Sequence, residues 1–95
     1  MPSFRVTMSV GALLPGTDPA GLLPVAADAA RELTTVEAAD IRLVRGAAQL
    51  VVRFTAADDA DAARIARHTR TVTGGAAQLS TCSVTRRAGG RWNPL

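Results

Sequence analysis

A chain of 95 residues is long enough for one small core and too short for two. Its 47% hydrophobic and 20% charged residues exclude wholesale disorder and collagen-like repeats, and no apolar run reaches the roughly 18 residues of a membrane-crossing helix. All eleven basic residues are arginine against eight acids, for a net charge of +3, and a single cysteine leaves no partner for an intrachain disulfide or a cysteine-based metal cluster. Strand-like residues begin at Phe4, so no secretory leader is expected and the expected location is cytoplasmic.

In chain order, Phe4 to Val10 alternate apolar and polar, which predicts a strand with Phe4, Val6, Met8 and Val10 on one face. Asp18-Pro19 has the form of a helix start, a capping carboxylate followed by proline, although Pro24 leaves room for a separate turn over 18–23. Leu22, Ala26, Ala29, Ala30 and Leu33 then fall on one helical stripe. Residues 39–55 read as a hairpin: Ile41 and Leu43 on one arm, Leu50, Val52 and Phe54 on the other, with Gly46 at the turn. Thr55 and Asp58 have capping-box spacing ahead of a second helix whose stripe is Ala62, Ile65, Ala66, Thr69 and Val72. Gly74-Gly75 stops that helix, and a last strand covers roughly Ala77 to Arg86.

The order β-α-β-β-α-β resembles the ferredoxin-like superfamily. The resemblance implies an α+β, two-layer sandwich in which a four-stranded antiparallel sheet carries both helices on one face. Residues 1–88 are expected to form that single domain and residues 89–95 a C-terminal tail. Phe4, Val6, Met8, Val10, Ile41, Leu43, Leu50, Val52 and Phe54 are then directed at the helices, and Arg5, Thr7, Ser9, Arg42, Val44, Val51, Arg53 and Thr55 at the open face. In the last strand, either Cys82 and Val84 face the helices with Leu79 opposite, or a bulge before Cys82 brings Leu79 to the helix side as well. Sheets of this class often pair face to face, so a homodimer is expected with Arg5, Thr7, Val44, Val51 and Arg53 in its interface.

Charge is uneven. Residues 1–48 carry net −1 and residues 49–95 net +4, with no acid after Asp61. Arg64, Arg67, His68 and Arg70 line one flank of the second helix and form a candidate anion patch; a solvated helix face, with its arginines late in the helix where the dipole favours cations, is the more ordinary account of them. His68 and Cys82 are the only residues of their kinds, and no spacing suggests joint catalysis or metal ligation, so no catalytic residue, metal or cofactor is expected. The Gly74-Gly75 and Gly89-Gly90 pairs fit no phosphate-loop pattern.

Asp18, Gly21, Leu22, Leu23, Val25 and Ala26, entering a helix after the first strand, locally resemble the opening of ACT domains. That resemblance implies ligand binding near Asp18, Gly21 and Leu22, with amino acids as the family's usual ligands. Pro24 departs from the pattern, and a plain strand-to-helix connection explains the same residues. The tail holds the only tryptophan, Trp92, which suits either a docking peptide or packing at the edge of the core.

Three functions remain. The leading one is a non-enzymatic, homodimeric module binding a small anionic ligand or a protein partner. The second is a small dimeric enzyme with a pocket between sheet and helices. The third is weak, salt-sensitive nucleic-acid binding through Arg64, Arg67, Arg70 and the tail arginines. Base recognition by stacking is not expected, because Phe4 and Phe54 are directed at the helices and no other aromatic falls on a central strand.

Overall fold

A computed structural model describes residues 1–95 as a small α+β fold: one antiparallel sheet and two helices. The strands are β1 (Ser3–Leu13), β2 (Val36–Val44), β3 (Ala47–Thr55), β4 (Ala77–Ala88) and β5 (Arg91–Pro94); the helices are α1 (Leu22–Arg31) and α2 (Asp59–Gly74). Sheet order is β2-β3-β1-β4-β5, so the four-stranded sheet expected from the sequence is corrected to five strands. The fifth comes from residues expected to be a tail. Gly89, at φ 60°, makes the turn that folds Arg91–Pro94 back onto β4, pairing Ala88 with Arg91, Arg87 with Trp92 and Thr85 with Pro94. No helix is long and apolar enough to cross a membrane.

The alternation of β1 does what its pattern requires. Phe4, Val6 and Met8 are fully buried, opposite Phe54, Val52 and Leu50 of β3. Phe4 and Phe54 stack with ring centroids 6.0 Å apart and anchor the core. Alanines of both helices (Ala26, Ala30, Ala62 and Ala66) close over them with Leu22 and Ile65. Small side chains let the helices lie close to the sheet, at the cost of a thin apolar layer.

Pro24 is tolerated because Pro19–Gly21 forms a separate 3-10 turn, capped by the Asp18 carboxylate accepting from the Ala20 amide. The α-helix starts only at Leu22, so Pro24 sits in its first turn, where backbone N–H groups have no intrahelical partner. Leu33, expected on the buried stripe, lies beyond the end of α1 and is exposed. In α2 the cap is Asp58 rather than Thr55: the Asp61 amide donates to the Asp58 carboxylate at 2.8 Å, and the Asp61 carboxylate accepts from the Ala57 amide at 3.1 Å. Val72 is exposed and Thr73 buried in its place. Thr69 and Thr73 satisfy their buried hydroxyls by donating to the carbonyls of Ile65 and Thr69.

Arg45 and Gly46 both take positive φ, 53° and 79°, giving the two-residue turn whose twist suits the β2–β3 hairpin. Ile41 and Leu43 share the helix-side phase of Leu50 but extend past α1, which leaves Leu43 78% exposed. In β4 the bulged alternative holds. Register shifts between the Thr81–Ser9 and Leu79–Val10 pairs, so Leu79, Cys82 and Val84 all pack against the core.

Candidate functional site

The face of the sheet away from the helices is built by the even-odd phase opposite the core. Arg5 lies directly across from Arg53 on β3 and Thr85 on β4; Thr7 lies across from Val51 and Ser83. Arg42 of β2 pairs with Gln49, whose side-chain amide donates to the Ser9 hydroxyl, which in turn accepts from Thr81 at 2.7 Å. Arg86 turns to the helix side, with its guanidinium donating to Asp59 at 2.8 Å and lying 5.6 Å from the Phe4 ring centroid. Arg87 therefore belongs to the open face, beside Trp92 of β5.

One arginine from each of four adjacent strands thus forms an oblique stripe: Arg42 on β2, Arg53 on β3, Arg5 on β1 and Arg87 on β4. Trp92 ends it. The Arg5 guanidinium carbon sits 3.9 Å from the indole centroid and that of Arg53 5.4 Å, so the tryptophan reaches inward across β4 to the central strands. Arg5, Arg42 and Arg53 line a shallow depression of about 130 Å³ with Ala38, Asp40 and Val51.

Of the four arginines only Arg53 has an acidic partner, Glu37, at 3.3 Å. Glu37 also accepts from the Ser3 hydroxyl at 2.6 Å; that bond first, and Arg53 next, hold its carboxyl below the ordinary range against the effect of burial. Asp40 accepts from the Ile41 amide. Arg87 donates to the carbonyl of Gly89 in its own hairpin. Burial, and then the charges of Arg42, Arg53 and Arg87, push the Arg5 guanidinium below its usual value, while it stays protonated at neutral pH. The stripe gathers four like charges against two acids, Glu37 in an ion pair with Arg53 and Asp40 in the wall of the depression.

The other expected sites disperse. Arg64 bridges Asp61 at 2.8 Å, and His68 Nε2 lies 2.6 Å from the Glu32 carboxylate at the end of α1, tying the helices together. Arg67 and Arg70 lie apart from those pairs, around a hollow of about 280 Å³ with Cys82 and Val84. Burial raises the Cys82 thiol, with Arg70 drawing it partly back. At the first loop, Asp18 is occupied as a cap and Gly21 precedes α1 without side-chain bonds. Leu22 alone of the three lines the apolar cavity beside it, about 380 Å³ between α1 and the β2–β3 turn, with no titratable residue in its walls. Of the expected dimer residues, Arg5, Thr7, Val51 and Arg53 are contiguous on the open face, whereas Val44 stands at the end of β2 beside the hairpin turn. Val51 is already buried within the single chain.

Arg87, Trp92 and Glu37, like Asp40 and Gln49, belong to the open face without being expected there from the sequence. The signal for the first two was present as Gly89-Gly90, a two-residue turn between segments that can pair. Glu37 had none, since it lies where β2 is irregular between Val36 and Ala38. Comparison with protein-family models, curated proteins and solved structures found no match to this chain.

Proposed function

We propose that this chain is a ferredoxin-like, non-enzymatic binding module whose open sheet face takes up an anionic ligand. The strand order β2-β3-β1-β4, with both helices on one side, supports the fold assignment. The observation that carries the function is the arginine stripe: four guanidiniums on adjacent strands, only one of them paired with an acid. Crowding like charges raises the free energy of the unliganded face, and a bound anion removes that repulsion while supplying acceptors for planar donor groups. Ser and Thr hydroxyls along the same face add neutral hydrogen-bonding capacity.

A homodimer formed through this face is a separate proposal that uses the same residues. Of its expected apolar members, Val51 is covered in one chain and Val44 is exposed at the far end of β2, and opposed copies would bring guanidinium rows together. The anion reading therefore does not depend on dimerisation.

Thermal shift tests the proposal. At matched ionic strength, pyrophosphate and sulfate raise the melting temperature above its value in chloride, and Arg53→Gln and Arg87→Gln reduce the increment. Melting temperatures that follow ionic strength alone, whatever the anion, overturn it.

A further inference from the structure

Resting on that reading, we infer that the anion is the backbone of a single-stranded nucleic acid, with the Arg5–Trp92 stack as the platform for one of its bases. Three observations point the same way. First, the cations are spread rather than convergent. From Arg42, level with Ser9, to Arg87, level with Ser3, the stripe crosses three strand spacings, about 14 Å, and runs about 20 Å along the strands. A compact anion reaches one or two of those groups, whereas a linear polyanion meets all four.

Second, the stripe ends on a π-surface. Trp92 is half-buried and stacked on Arg5, so the pair presents a guanidinium plane and an indole on the same face as the charges. Unstacked bases lie on such planes, and every base has a π-face to offer, so this kind of contact tolerates sequence variation. An acidic peptide satisfies the arginines equally and makes no comparable use of the ring. Third, the aromatic group required on the central strands comes from outside them. β5 delivers Trp92 across β4 onto Arg5 of β1, which removes the reason for not expecting base stacking.

Trp92 is the only tryptophan and the chain has no tyrosine, so its fluorescence reports the platform directly. The test titrates the full-length chain with short oligothymidylate, with the corresponding duplex, with inorganic polyphosphate and with poly-glutamate. Oligothymidylate is expected to quench Trp92 and to bind more tightly than the other three. Its affinity falls with salt by a log–log slope of about −0.7 per phosphate contacted. Trp92→Ala weakens oligothymidylate roughly tenfold and polyphosphate by a much smaller factor, and Trp92→Phe restores oligothymidylate binding. The wild-type comparison stands without any variant, should Trp92→Ala fold poorly. Polyphosphate, poly-glutamate or duplex binding as tightly as oligothymidylate, or binding without quenching, overturns the nucleic-acid inference and leaves the anion module intact. Absence of binding by every probe overturns both.

Discussion

Arg5 on β1 and Trp92 on β5 are stacked at 3.9 Å although an entire strand, β4, separates their backbones. A strand spacing is about 4.8 Å, so only a side chain as long as tryptophan meeting one as long as arginine closes that gap. The contact ties the last hairpin to the centre of the sheet. It also sets the aromatic ring among the cations of the open face, so one pair links the stability of the C-terminal hairpin to the chemistry of the candidate site.

Removing residues 89–95 should therefore act on the whole domain. Loss of β5 and of a cation–π contact of about 1 kcal/mol is expected to lower the melting temperature by about 5 °C. Circular dichroism of the truncated chain checks this; an unchanged melt would show that the hairpin contributes no net stability.

Glu37→Gln should have two effects of opposite sign. The native carboxylate is held below its ordinary pKa, so its contribution to stability is present above the unfolded value and is lost as pH falls through the folded one. In Glu37→Gln the acid limb of the stability curve is accordingly shallower below about pH 4.5. At neutral pH the same change frees Arg53 from its acidic partner and is expected to tighten pyrophosphate binding. Melting temperature against pH, with and without pyrophosphate, separates the two effects.

Cys82 should be a slow thiol. Burial raises its pKa, and Arg70 offsets only part of that, so little thiolate exists near neutrality. The rate of alkylation by iodoacetamide is expected to rise with a midpoint above that of free cysteine. A midpoint below it would identify an activated thiol.

Asp58→Ala removes the cap of α2 and is expected to cost about 1 kcal/mol, or roughly 5 °C in melting temperature. Thr55→Ala leaves that cap in place and should cost less. Equal losses in the two variants would return the cap to Thr55.

The elements whose alternation or stripe is set by burial on one side were legible in the sequence. Phe4, Val6, Met8, Leu50, Val52 and Phe54 all reach the core in the phase their spacing dictates. What escaped depends on partners rather than on pattern. Arg91–Pro94 has no apolar alternation to announce a strand, and half of it is proline and asparagine, so it becomes a strand only by pairing with β4. Thr73 is buried where Val72 was expected, and its hydroxyl donates to the Thr69 carbonyl one turn back, a compensation that hydropathy does not register. The open face was half-legible: Arg5, Arg42 and Arg53 follow from strand phase, whereas Arg87 and Trp92 join it only once the hairpin folds.

The bulge between Leu79 and Thr81 has a consequence for life in a crowded solution. β5 pairs with β4 only from Thr85 to Ala88, with the Leu95 amide donating to the Val84 carbonyl, so the stretch before Val84 has no strand beside it on that edge. A straight strand there would be a template on which another copy of the chain could add itself, and then another. The kink at Ser80 denies such a newcomer a continuous register. Deleting Ser80 would remove this interruption, although the second irregularity, between the Leu79 and Ala77 pairs, remains. Light scattering of that variant is expected to show more self-association than the parent chain.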